Sequence, residues 1–268
     1  MLGKLLKHEL NATTRIFLPI YAILLLISLM NRFTFHLKIY QGTLPIISSL
    51  FLFMYVITII LVLAATVILT IIRFYKNLLT DEGYLMFTLP AKTHQLINSK
   101  LLVHLFWTLM SVLIVIASLF LVFVTPENMP FIKGELTKIY LELQVLTAGR
   151  EISFVLPFLF FCIVGQFSTI LSIYVSIALG QLFHGHKILG AFISYIGIYT
   201  GMQIITLVII LIVAVLNLNT FEQLAQLEQL STAAVNFTFL LSTIFLLVIS
   251  AIFYFVTNYI LKRKLNLD

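Results

Sequence analysis

Charge is scarce in this sequence: Asp, Glu, Lys and Arg make up 10% of its 268 residues, against 61% hydrophobic. A water-facing surface needs about a quarter of its residues charged, which excludes an ordinary soluble domain. With a mean hydropathy of +1.12, the chain reads as an all-α, polytopic membrane protein. Cysteine is nearly absent too, since the single Cys162 lies inside an apolar run, excludes an intrachain disulfide framework and reads as packing. Also missing is any Asp, Glu, Lys or Arg well inside an apolar run, the usual mark of an ion path or proton relay. That argues against a proton-driven transporter. His104, about one turn beyond Lys100, comes closest, and reads as a satisfied histidine near the membrane interface.

Catalytic patterns are lacking as well. No Ser/His/Asp, Cys/His or paired-carboxylate arrangement stands at membrane depth, so no catalysis is expected in this chain. Gly180 to Lys187 spells G-x-x-x-x-G-H-K, but lysine does not directly follow the second glycine and no Ser or Thr comes after it to hold magnesium. His184 and His186 are two apart on a short turn with no third ligand nearby, so no metal is expected either. The formal net charge of +6 comes from short basic clusters beside apolar runs. There they attract anionic lipid headgroups, which makes membrane lipid the partner and speaks against nucleic acid.

What is present is a series of apolar runs at 16–35, 46–72, 101–124, 152–183, 188–216 and 233–261, which predict six transmembrane helices in one membrane domain covering 1–268. Residues 1–15 place Leu2, Leu5, Leu6 and Leu10 on one helical face and Lys4, Lys7, His8, Asn11 and Arg15 largely on the other, the pattern of an interface helix. The first span is short, and is completed either by Phe33 to Phe35 or by the interface helix continuing into it. With the amino terminus inside, the inner segments hold Lys4, Lys7, Arg15, Arg73, Lys76, Lys92, Lys100, Lys187, Lys262, Arg263 and Lys264. The outer ones hold Arg32, Lys38, Lys133, Lys138 and Arg150, an imbalance that favours both termini on the cytoplasmic side. On the outside, Glu135 to Thr147 and Phe221 to Leu230 have the spacing of short amphipathic helices, the second opened by a Thr220/Gln223 capping pattern.

Small and hydroxyl residues recur at helical spacing within the spans. Gly165, Thr169, Ser172, Ser176 and Gly180 form one stripe with Gln166 beside it, Gly190, Ser194, Gly197 and Gly201 a second, and Thr243, Ser250 and Thr257 a third. Close helix packing and a mildly polar translocation path both use such residues, and both readings stay open.

The sizeable polar interval between apolar runs is Arg73 to Lys100. Thr80 or Asp81 can cap a short helix there, with Asp81 and Glu82 at its positive end, and Leu89-Pro90 stops it before Thr93 opens the third span. Such a helix presents Tyr84, Leu85, Met86 and Phe87 to a partner. Here the chain resembles the permease subunits of type 2 ABC transporters, in the bacterial branch of peptide, antibiotic and bacteriocin-immunity exporters. The resemblance runs over the whole chain. It rests on Met1-Leu2-Gly3-Lys4-Leu5-Leu6-Lys7-His8-Glu9-Leu10, on Leu79 to Pro90 followed by Ser99-Lys100-Leu101-Leu102, and on Ala178 to Phe183 leading to His186-Lys187.

The resemblance implies an amphipathic amino-terminal helix (Leu5, Leu6, Glu9, Leu10) and a cytoplasmic coupling helix (Asp81, Glu82, Tyr84, Leu85, Met86, Phe87) that dock onto a separate ABC ATPase subunit. It further implies a second permease, identical or related, no cofactor in this chain, ATP and Mg in the partner ATPase, and a place in the bacterial plasma membrane. The long outer segment Pro126 to Arg150 departs from the family pattern. From another class, a non-transporting membrane sensor or assembly protein that binds a cytoplasmic partner through 73–100 remains the alternative.

Overall fold

The computed structural model describes residues 1–36, 45–79, 83, 91–147, 149, 151–183, 185–216 and 232–263. Among them the secondary structure is entirely helical: α1 (Leu2–His36), α2 (Pro45–Leu79), α3 (Thr93–Phe123), α4 (Met129–Thr147), α5 (Glu151–Gly180), α6 (Lys187–Leu216) and α7 (Thr232–Arg263). All but α4 are long and apolar enough to cross a membrane, and they coincide with the six apolar runs. This is the architecture of a multi-pass membrane protein. Hydrocarbon offers no hydrogen bonds, so each crossing segment must satisfy its own backbone, and an α-helix does so.

Several boundaries differ from the sequence-based expectation. α2 runs on to Leu79 rather than ending at 72, and α5 ends at Gly180 rather than 183. Two further differences concern α1 and α4. Residues 1–15 and the first span are not separate elements but one helix, α1, the second of the two possibilities weighed for completing that span. The reason lies in the spacing of its inward side chains: Leu10, Thr13, Phe17, Ile20, Leu24, Ile27, Asn31 and Thr34 alternate by three and four, and every one is buried or partly buried. That stripe passes residue 15 without a change of phase, so the apolar face of the amino-terminal turns and the packing face of the span are the same face. Pro19 lies within α1 and removes one backbone donor without ending the helix. The second difference is α4, which begins at Met129 rather than Glu135, because Pro130 stands in its first turn, where no amide partner is needed. The expected helix at 221–230 lies outside the described residues.

The chain divides into two compact units, Met1–Leu78 with Glu82–Lys138 and Leu79–Asp81 with Ile139–Asp268, the boundary falling within α4. In the first unit, α1, α2 and α3 share a core of Phe17, Tyr21, Leu24, Tyr55, Val62, Leu69, Val103, Trp107 and Val122. Phe17 stacks on Trp107 with ring centroids 4.6 Å apart. Polar ties between helices lie among these side chains: Tyr21 Oη to Ser111 Oγ at 2.7 Å, Tyr55 Oη to Ser118 Oγ at 2.9 Å, and Asn31 Nδ2 donating to the Phe51 carbonyl at 3.1 Å. Arg32 Nη1 donates to the Leu121 carbonyl at 2.9 Å. The order of these partners makes α1 and α3 parallel, with α2 antiparallel to both. In lipid, where apolar burial supplies no driving force between helices, such ties and close packing hold a bundle together.

In the second unit, α5 packs against both α6 and α7. Phe239 of α7 meets Phe154, Phe158 and Phe161 of α5, with centroids 5.7 to 5.8 Å apart. The connection from α5 to α6 is tight because two glycines permit it. A Cβ on Gly180 would stand 2.5 Å from the backbone nitrogen of Ala191, and one on Gly190 would stand 2.6 Å from the Phe183 ring. Gly165, Gly197 and Gly201, by contrast, have nothing within 4 Å of an added Cβ. The small residues thus divide by role, two of them carrying close packing within the chain. Replacing Gly180 with Ala forces the backbones of α5 and α6 apart and costs about 1–3 kcal/mol, whereas Gly165→Ala is tolerated. Thermal unfolding of the two variants in the same detergent distinguishes them, and an equal melting temperature for both refutes the close approach.

Candidate functional site

The first candidate site is built where α1 begins, α2 ends and α3 begins. Glu9 is 3% exposed and Lys100 1% exposed, and Lys100 Nζ donates to Glu9 Oε1 in a buried ion pair. Asn77 Nδ2 of α2 reaches the same oxygen at 3.5 Å. One turn along α1, Thr13 Oγ1 donates to the Glu9 carbonyl at 2.7 Å and accepts from Trp107 Nε1 at 2.7 Å, which connects the ion pair to the Phe17–Trp107 stack. Glu9 Oε2 is buried with no hydrogen-bond partner among the described residues. Desolvating two charges costs several kcal/mol each, so the pair holds only while the two ions face one another.

Of the residues that the resemblance assigns to an amino-terminal docking contact, Glu9 points into the bundle, Leu6 and Leu10 pack partly buried against the core, and Leu5 is half-buried. The outward face of these turns is Lys4, Lys7, His8 and Asn11, all exposed. Lys100 and His104, expected at the membrane edge, are both buried in α3. The signal for Glu9 and Lys100 was present in the phase of each helix, since Glu9 lies one turn before Thr13 on the inward stripe and Lys100 one turn before His104. Asp81, Glu82, Tyr84, Leu85, Met86 and Phe87 lie outside the described residues. Gly83 among them is described and buried, and a Cβ there would meet the Leu78 carbonyl oxygen at 2.6 Å. Gly83 therefore lies close against the end of α2. The third span starts at Thr93 as expected, with the Lys92 amide donating to Gln95 Oε1 at 3.3 Å.

The second candidate site is a cavity of about 290 Å³ in the second unit. Its floor is Gly165, Ser168, Thr169 and Ser172 of α5, and its walls are Tyr195, Ile198, Tyr199 and Met202 of α6 with Leu246 and Phe253 of α7. Of the six residues singled out for a path or packing stripe, Thr169 and Ser172 line this space, while Ser176, Thr243 and Ser250 are buried between helices and Gln166 is exposed. Ser176 Oγ donates to the Ser172 carbonyl at 2.6 Å and Thr243 Oγ1 to the Phe239 carbonyl at 2.7 Å, the habit of hydroxyls in packed membrane helices. The stripe is therefore part packing and part cavity. The aromatic wall went unnoticed in the sequence, although Tyr195 and Tyr199 are one turn apart and their rings stack at 6.5 Å. Among the described residues no three His, Cys, Asp or Glu side chains gather as metal ligands.

Removing Lys100 leaves the Glu9 carboxylate buried without its cation. Lys100→Met is expected to destabilise the first unit by about 3–5 kcal/mol, and Glu9→Gln with Lys100→Met to recover most of that loss. A double-mutant cycle on melting temperature in detergent measures it, and additive losses would show that the two side chains do not interact.

No protein-family model, no curated protein and no solved structure matches this chain significantly.

Proposed function

We propose that this chain is the membrane-spanning permease subunit of an ATP-driven exporter in a bacterial plasma membrane, with ATP hydrolysed by a separate ABC ATPase subunit. The observation that carries this reading is the buried Glu9–Lys100 pair with Asn77, which joins the start of α1, the end of α2 and the start of α3. Residues 80–92 connect those last two ends. A displacement of that connection by a nucleotide-driven partner is passed to three helix ends at once, because separating them exposes a buried charge to hydrocarbon. The contact surface on the partner's side is then the segment from Asp81 to Phe87 together with the outward Lys4, Lys7, His8 and Asn11. The bundle supplies no nucleotide motif of its own, so the energy enters from outside the chain.

Pairing with a second permease, identical or related, is supported by Gly197 and Gly201 on α6. Their spacing lets another helix approach closely, and the space beside them is open within this chain. The substrate class that suits an apolar, hydroxyl-bearing interior is amphipathic, such as a peptide, an antibiotic or a lipid-like molecule.

Glu82→Arg combined with Phe87→Ala is expected to uncouple the assembly. In proteoliposomes with the ATPase that co-purifies from native membrane, ATP hydrolysis continues while export falls about tenfold, a loss of roughly 1.4 kcal/mol of coupling. Export at the unmodified rate sinks the coupling role. Co-purification of a cytoplasmic protein without a phosphate loop, and no ATP-dependent export, favours the sensor or assembly reading.

A further inference from the structure

The cavity of the second unit has a size, a depth and a lining that together specify a ligand. Its floor, Ser168 to Ser172, lies about 26–32 Å from the start of α5, a helix about 45 Å long at 1.5 Å per residue. A hydrocarbon core of about 30 Å centred on such a helix encloses that depth, so what reaches the mouth from the side is acyl chain. Thr169 and Tyr199 of the lining are exposed, so the space is open at their side.

The lining offers little to a polar molecule. Thr169 Oγ1 donates to the Gly165 carbonyl at 3.0 Å and Ser172 Oγ to the Thr169 carbonyl at 2.8 Å, so these two donors are taken up by their own helix. Among the described residues no Asp, Glu, Lys, Arg or His lines the space. A headgroup brought to this depth would have no charge to meet and would carry a desolvation cost. The walls are what an alkyl chain meets well: the stacked pair Tyr195 and Tyr199, branched Ile198 and Leu246, Phe253, and the adaptable thioether of Met202. An apolar cavity of about 150 Å³ stays dry and admits a benzene molecule. At about 290 Å³ this one is near twice that size, enough for a stretch of single hydrocarbon chain and too small for a folded peptide.

We infer that the space between α5, α6 and α7, floored by Gly165, Thr169 and Ser172, is a binding site for one alkyl chain of a membrane amphiphile. The chain enters from the bilayer at mid-depth and lies along the hydroxyl floor with the tyrosine pair over it. This site does not depend on the exporter reading, and the tail of a bilayer lipid and that of a single-chain solute share the chemistry it recognises.

Photocrosslinking tests it on the full chain in phosphatidylcholine nanodiscs, using a fatty acid and, separately, a phosphatidylcholine that each carry a diazirine near the middle of the chain. Labelling is expected to concentrate on 165–172 and 195–202. Gly165→Leu fills the cavity from a position with open space around it, and is expected to lower labelling there about tenfold while leaving the lipid-facing Ile60 and Leu61 of α2 labelled as before. Thr169→Leu serves the same purpose should the first variant fail to fold. Labelling by the phospholipid alone assigns the site to bilayer lipid, and labelling by the fatty acid alone assigns it to a single-chain solute. Labelling spread evenly over the exposed apolar residues of α2 and α5, or unchanged in a folded filled variant, overturns the site.

Discussion

A carboxylate and an ammonium held together out of water at the end of a helical bundle constrain much of the first unit. Glu9 and Lys100 are both almost fully buried, and an ion at that burial has to be paired. Their pairing fixes the rotation of α1 and of α3, because each ion has to stay on the inward face. Thr13, Phe17 and Tyr21 then follow on the same face of α1, and His104, Trp107 and Ser111 on that of α3. The Trp107 indole finds its acceptor in Thr13, and Tyr21 its partner in Ser111. The second unit has no such charge pair among its described residues. There the register of α5 against α6 is set by backbone contact at Gly180 and ring contact at Gly190, and that of α5 against α7 by the ring cluster around Phe239.

Much of the fold was legible in the sequence, and the reasons for the remainder are physical. Six apolar runs bounded by charges give six spans because the bilayer imposes a length and a composition that few other environments demand. The union of residues 1–15 with the first span was harder to see, since Glu9 and Thr13 on an otherwise apolar face look like a polar edge until their partners on other helices are known. Lys100 was counted among loop cations for the same reason. A charge ninety residues away in sequence leaves no local trace of its pairing. α4 was found but begun late, because the amphipathic spacing that marks it starts at Glu135, while the helix opens earlier, with Pro130 in its first turn.

The candidate sites were legible to different degrees. Spacing brought out Thr169 and Ser172, yet helix packing and a translocation path call for the same small and hydroxyl residues. Thr169 and Ser172 line a cavity, and Ser176, Thr243 and Ser250 are buried. The cavity itself depends on Tyr195 and Tyr199 from another helix, which no local pattern ties to Thr169. On α1, the amphipathic reading separated the two faces: Leu6, Glu9 and Leu10 turn toward the bundle, and Lys4, Lys7, His8 and Asn11 are exposed. The apolar face is consumed by the bundle, and the polar face remains for what lies outside it.

The sequence separation of the ion pair bears on how the protein is made. Glu9 and Lys100 are 91 positions apart in the sequence, and a ribosome adds roughly 5–20 residues per second. For about 5–20 s after it emerges, then, the carboxylate has no lysine to meet, and its partners are water, lipid headgroups and, once α2 is made, Asn77. Over that interval the amino-terminal turns of α1 have to stay at the membrane surface, and they are drawn into the bundle only when the third span arrives. The order of synthesis thus makes the most deeply paired residue of α1 the last part of that helix to settle.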